Sequence, residues 1–271
     1  MKLLIPIFIA LTLPFLGYSQ NGISTVAGAR GAGMANASVA FTDIHSIFSN
    51  QAGLAYLTQF AAVATGEQRF LTNIKSLGAG VALPTNSGTL GLTVQYFGNT
   101  GYSEKKVGLA YGRKLTESLS LGAQIDYLQT TIPEYANNNA FSFELGLHSS
   151  VTSNFRVAAH VSHPIRVKIS ETESLPTLLK VGCVYLPSKN ITLNAEIEKD
   201  IDRKLALKTG FEYGFSELLF VRAGVRTEPV QLSFGVGVKM KGGLTADFAA
   251  SYHPILGVTP SVGVVYSKIN N

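Results

Sequence analysis

From about residue 59 onward the chain is cut into segments of about 10 to 13 residues in which apolar and polar side chains alternate, separated by turn residues. In VQLSFGVGVKM, Val230, Leu232, Phe234, Val236, Val238 and Met240 form one face. Gln231, Ser233, Gly235, Gly237 and Lys239 form the other. The same period of two separates Ile191, Leu193, Ala195 and Ile197 from Thr192, Asn194, Glu196 and Glu198. It also separates Leu119, Leu121, Ala123 and Ile125 from Ser120, Gly122, Gln124 and Asp126. Such segments are strands of a sheet with one greasy and one polar face. There are fourteen: 59–70, 74–83, 88–97, 103–113, 118–131, 139–149, 154–163, 176–187, 190–199, 203–215, 218–227, 230–240, 243–253 and 258–268. Their length matches the roughly 9–11 residues with which a barrel strand crosses a bilayer.

The N-terminus sets the compartment. Residues 1–19 begin with Lys2, continue as an apolar run and end in Gly17 and Ser19, small residues placed for cleavage near Ser19/Gln20. This is the layout of a secretory signal peptide, without the cysteine that would mark a lipoprotein. Beyond Gln20 no apolar run reaches the roughly 18 residues of a transmembrane helix. An exported chain with 46% hydrophobic and 14% charged residues then has two choices, a soluble β protein or a transmembrane β-barrel. Apolar faces almost free of charge favour the barrel, as does strand length beyond the usual soluble range. So do the aromatics near strand ends at Tyr96, Phe97, Tyr102, Tyr127, Tyr213, Phe215, Tyr252 and Tyr266. The expected fold is an all-β antiparallel transmembrane barrel of about 14 strands over 58–271, preceded by a hatch or plug at 20–57.

With both termini at one end, the connections PTNSG, RKLTES, SVTSN, PSKN, GFSE and KMKGG fall at that end, and all are short. Two longer connections, 133–139 and 164–175, fall at the other. The polar faces are expected to line the lumen with Glu144, Arg156, Lys180, Glu196, Lys208 and Arg222, joined by Glu198, Lys204, Glu212, Arg226, Lys239 and Asp247. Mixed signs point to an ion-pair network that holds a narrow barrel shut rather than to an ion-selective pore. The stretch 22–57 is rich in Gly and Ala, with a short helix expected within 38–48, and is too apolar for a solvated tail.

That stretch, AGARGAGMANASVAFTDIHSIFSNQAGLAYL, resembles the N-terminal signature of the FadL-like outer-membrane barrels of Bacteroidetes, the PorV/PorQ group. Ala29, Arg30, Gly33 and Met34 match its first part, and Asp43 its acidic position. Asn50, Ala52, Gly53, Leu54 and Ala55 match its last part, with Gln51 where the group carries Pro. The closing hairpin HPILGVTPSVGVVYSK is similar to the group's ending, although the terminal Phe common in outer-membrane barrels is absent. The resemblance implies a 14-stranded barrel of the cell outer membrane in contact with its lipid. It also implies an accessory role in type IX secretion, with secretion-machinery proteins or secreted cargo as partners. The alternative is a FadL-type channel for the uptake of hydrophobic small molecules. Pro260 is then the candidate for a gap in the wall, set against a harmless place at a strand start.

Catalysis finds no support. His45, His148, His160, His163 and His253 form no HExxH or Cys/His metal spacing. His160 and His163, three apart on a strand, are expected on opposite faces. There is no Gly-x-Ser-x-Gly elbow, and GARGAG lacks the lysine and the strand–helix setting of a phosphate loop. The expectation is a non-enzyme without cofactor or metal. The positive charges are scattered, which gives nucleic-acid binding no footing. Cys183, in step with Val181 and Tyr185, is expected to face lipid or a neighbouring side chain.

Overall fold

The computed structural model describes residues 27–165, 167 and 174–269; the expected signal peptide at 1–19 lies outside the described residues. Fourteen strands are present. They are β1 (Ala61–Arg69), β2 (Ile74–Thr85), β3 (Gly88–Gly98), β4 (Ser103–Lys114), β5 (Leu119–Ile132), β6 (Ala136–Ser150), β7 (Phe155–Ser162), β8 (Leu178–Ser188), β9 (Ile191–Asp200), β10 (Ala206–Gly214), β11 (Leu219–Thr227), β12 (Val230–Lys239), β13 (Leu244–His253) and β14 (Gly257–Ser267). Each pairs antiparallel with its sequence neighbours, and β1 pairs with β14 from Ala61↔Ser267 to Glu67↔Ser261, which closes the barrel. Closure leaves no sheet edge to expose unpaired backbone groups.

Alternation decides which side chains face out. Leu109, Ile125, Phe234 and Phe248 on four different strands are 61%, 64%, 63% and 55% exposed. Their inward neighbours Ala110, Gln124, Ser233 and Asp247 are buried. An outer surface of large aliphatic and aromatic side chains over a polar interior is the reverse of a water-soluble globule and is what hydrocarbon demands. No helix among the described residues is long and apolar enough to cross a membrane.

Four details differ from the expectation. The stretch 133–139 is half strand: β6 already begins at Ala136, and only a three-residue turn separates it from the end of β5 at Ile132. A five-residue helix, α1 (Gly28–Ala32), comes earlier than the helix expected within 38–48. That region instead holds a 3-10 turn, Ile44–Phe48, followed by a second, Gln51–Tyr56. Lys204 lies between strands rather than on one, and Phe97 faces the lumen, where its ring lies under the Arg69 guanidinium at 5.6 Å. The stretch 164–175 lies largely outside the described residues.

The N-terminal segment occupies the lumen as one buried body. Ile44, Ile47, Phe48 and Leu54 pack on Ala61, Val63, Ala82, Ala110 and Val265 of the inner wall. A small barrel has room for this because its inner face is studded with glycine. Gly112, Gly122 and Gly146 are in register across β4, β5 and β6 and form a flat row. A methyl on Gly122 would stand 2.1 Å from the Ala52 nitrogen, and one on Gly146 would stand 1.9 Å from Asn50 Oδ1. On β11, a methyl on Gly224 would stand 2.4 Å from the Met34 carbonyl carbon. Wall backbone and hatch backbone therefore touch where side chains would hold them apart. Gly122→Val is expected to lower stability by about 1–3 kcal/mol through overpacking, seen as a lower urea midpoint in lipid vesicles. Gly101→Ala, whose nearest neighbour would be Asn99 Oδ1 at 3.6 Å, should leave the midpoint in place. Equal midpoints for the two variants would show that the hatch does not rest on the glycine row.

Candidate functional site: the hatch and its ion-pair wall

The charges of the inner wall gather in three clusters that follow strand register. On β4–β7, Lys106 bonds to Glu144 and lies 3.4 Å from Asp126, and His160 Nε2 is 3.1 Å from Glu144. On β8–β11, Lys208 bonds to Glu196 at 2.9 Å and Glu198 at 2.6 Å, with Lys180 at 4.0 Å and Arg226 at 2.8 Å from Glu198. On β10–β13, Arg222 donates to Glu212 and Asp247, both at 2.6 Å. Such charges survive out of bulk water because each has an opposite partner within bonding reach.

The hatch plugs into each cluster with a different group. Arg30 of α1 donates through Nε and Nη2 to Glu212, at 2.9 and 2.6 Å, and through Nη1 to Asp43 of the hatch itself. This planar fork gives Glu212 two N–H donors side by side while a third reaches Asp43, a bidentate geometry that a lysine does not supply. Asp43 also accepts from the His45 nitrogen at 2.8 Å and caps the turn Ile44–Phe48. Burial alone would raise its carboxyl; Arg30, and then His45, outweigh that and hold it below the usual carboxylate range. At the second cluster, Glu196 accepts the Ser38 and Val39 nitrogens, both at 2.8 Å.

At the β4–β7 cluster the contact residue is Gln51. Its Nε2 donates to Glu144 at 2.9 Å and to Gln124 at 3.3 Å, and its Oε1 lies 3.2 Å from His160 Nε2. The residue that departs from the resembled N-terminal signature is thus a bridge between three wall strands. Proline there could make none of these bonds. Next to it, Asn50 Nδ2 donates to the Val39, Leu147 and Ala159 carbonyls at 3.0, 3.1 and 3.3 Å, while Oδ1 caps the turn Gln51–Tyr56.

The remaining motif residues serve packing. Gly33 meets Gly235 of β12, where an added methyl would come within 3.1 Å of its Cα. Met34 is fully buried, and its sulfur accepts from Asn194 at 3.4 Å. Gly53 lets the two limbs of the hatch meet, since a methyl there would stand 2.1 Å from the Phe41 oxygen. Leu54 is fully buried in the apolar cluster beneath β1–β4.

Of the six expected lumen charges, Glu144, Lys180, Glu196, Lys208 and Arg222 belong to these clusters. Arg156 does not. It sits at the barrel end, donating to Thr42 Oγ1 at 2.9 Å, because β7 begins only one residue before it. Lys106, Asp126, Gln124, Gln51 and His160 complete the first cluster. Gln124 and Asp126 were readable as polar-face residues of their strand, but nothing in the chain marks them as neighbours of Lys106. His160 and His163 do not point to opposite sides. β7 ends at Ser162, and His163, at φ 54°, turns back so that Nδ1 lies 2.6 Å from the lumen-facing Ser142 Oγ.

Among the described residues every seam of the wall is paired. Pro260 is the fourth residue of β14, not its first; the ladder to β13 runs through Ala250↔Pro260, while that to β1 stops one residue short, at Ser261. An apolar groove of about 490 Å³ crosses the outer wall at Ala123, Ile125, Phe141 and Leu145, yet the β5–β6 ladder beneath it is unbroken.

Known structures place this geometry. The CymD monoaromatic hydrocarbon channel matches with a TM-score of 0.72 over 93% of this chain and 100% of its own, at 14% identity. The toluene transporter TbuX of Ralstonia pickettii matches at 0.70 over 90% and 98%, with 13% identity. A FadL homologue of Pseudomonas aeruginosa matches at 0.65 over 89% and 96%, with 14% identity. The fold is that of the FadL-type barrel. No protein-family model and no curated protein matches the sequence.

The hatch geometry carries a prediction. Gln51→Leu removes the bridge and leaves buried polar groups of the wall short of a partner, at a cost of about 1–3 kcal/mol. Amide exchange over residues 44–57 should accelerate accordingly, while Lys204→Gln, in the exposed connection between β9 and β10, leaves it unchanged. Equal protection in Gln51→Leu and the parent would remove Gln51 from the holding of the hatch.

Proposed function

We propose that the protein is an outer-membrane channel for small hydrophobic molecules, closed at rest by its own N-terminal segment. The observation that carries this reading is a lumen filled by the N-terminal hatch, inside a barrel alike over nearly its full length to structures described as a monoaromatic hydrocarbon channel and a toluene transporter. The lumen end opposite the termini adds support. Leu128 and Ala140 of the wall pack there with Leu175 and Val167 in a small buried apolar cluster, so the lining at that end is apolar as a route for a hydrophobic solute requires. The outer-membrane location follows from the lipid-facing wall together with the N-terminal export signal. Transport chemistry of this kind calls for no cofactor.

The secretion-accessory reading of the PorV/PorQ resemblance takes second place. It stands on the hatch motif, and Arg30, Asp43 and Asn50 are engaged in holding the hatch inside this barrel. Reconstituted liposomes test the choice: entry of labelled toluene and a medium-chain fatty acid should exceed that into protein-free liposomes. Arg30→Gln, which frees one edge of the hatch, should raise the rate further. Entry equal to the protein-free control for both solutes would sink the channel reading, and loss of type IX cargo export on gene deletion would restore the other.

A further inference from the structure

The barrel rim that carries the termini is strongly basic. Arg113 and Lys114 end β4, Arg156 lies at the start of β7, Lys189 is in the β8–β9 turn, and Lys239 ends β12. Lys241 follows in the next connection, and Lys268 stands just beyond β14. Glu117 and Glu217 are the acids on the strand ends and turns of this rim. Seven cations against two acids leave a surplus equal to the whole formal net charge of the chain, +5. All but Arg156 are exposed. Among the described residues none of the seven enters an ion pair, whereas the inner wall pairs its charges throughout. The opposite rim mixes signs: Arg69 pairs with Glu67, Arg203 with Asp200 and Arg226 with Glu198, and Glu134, Asp202 and Glu228 add further acids.

Four of these cations, Arg113, Lys189, Lys241 and Lys268, are exposed at the rim, and two of them, Arg113 and Lys268, stand in step with lipid-facing aromatics. Tyr111 and Arg113 are two residues apart on β4, and Tyr266 and Lys268 two apart at the end of β14. Tyr185 precedes Lys189 at the end of β8. Two residues of strand advance about 7 Å. An aromatic ring at the edge of the hydrocarbon therefore puts the following cation at the depth of the headgroup phosphates.

We infer that this rim is a binding ring for anionic phospholipid headgroups. The depth relation favours lipid over an acidic protein, which would have no reason to meet cations in step with the aromatic girdle. Phospholipid rather than lipid A is the source because the rim holds the termini, and that choice of leaflet rests on the outer-membrane reading above. The ring would fix the depth of the barrel and gather anionic lipid around its hatch-bearing end.

Native mass spectrometry of the full barrel, exchanged into equimolar phosphatidylglycerol and phosphatidylcholine, tests this. Retained phosphatidylglycerol should exceed phosphatidylcholine by at least about 5-fold, the effect of a single cation at an anionic surface. The preference should fall with added salt. The combined variant Arg113→Gln, Lys189→Gln, Lys241→Gln and Lys268→Gln should retain both lipids equally, and Lys75→Gln with Lys105→Gln on the opposite rim should keep the preference. Heat-dependent gel mobility shows that each variant is folded. Absence of preference in the parent, or its persistence in the four-residue variant, overturns the proposal. Stronger retention of lipid A than of phosphatidylglycerol overturns the assigned source, and an acidic protein displacing no lipid while binding the four cations overturns the lipid assignment. Solute entry is read separately, so failure of the channel reading leaves this result standing or falling by itself.

Discussion

The seam between β1 and β14 is the contact on which everything else depends. Lipid offers no hydrogen bonds, so a wall of thirteen paired seams and one open one would leave two strand edges unsatisfied in hydrocarbon. Seven residue pairs join the first strand to the last, across nearly the whole length of the chain. Their register also fixes the enclosure. With the ladder closed, every inward position faces a lumen of set width, and the glycine row on β4–β6 lies opposite the hatch turn that needs it.

The lumen then solves an electrostatic problem in three separate places. A single long chain of alternating charges would make each residue depend on all the others. The three clusters are instead local to neighbouring strands, and each is nearly complete before the hatch is added. The hatch contributes one guanidinium, one amide, two backbone N–H groups, the Asn36 carbonyl that accepts from Lys208, and the His45 ring 3.9 Å from Asp247. Its own acid, Asp43, is used internally.

Much of this architecture was legible in the residues. Alternation in VQLSFGVGVKM separates Phe234 from Ser233 with no reference to coordinates, and the same rule fixes the number of strands and places Glu144, Lys180 and Arg222 inside. Alternation also placed Arg156 inside, but it knows nothing of depth, and depth sends that side chain to the rim. It cannot see that Gln51 would meet Glu144 and Gln124, because that meeting depends on the path of the hatch through the barrel. Local turn chemistry was equally blind at His163, where a left-handed backbone after the last strand residue reverses the side chain. The strands around 133–139 were missed because Asn and Pro read as loop, although a strand projecting beyond the membrane tolerates polar residues.

The location of the charges bears on how the barrel can open. Lys106 with Glu144, Lys208 with Glu196, and Arg222 with Asp247 are all pairs within the wall. Withdrawing the hatch would leave each of them intact. What it gives up is the packing of Ile44, Ile47, Phe48 and Leu54 on the wall, a set of hydrogen bonds that water can replace, and the Arg30–Glu212 fork, whose carboxylate still has Arg222 beside it. The empty lumen would be wet and electrically balanced rather than a row of stranded ions. In that sense the plug is a tenant of a finished room: the ion pairs of the walls do not depend on its presence.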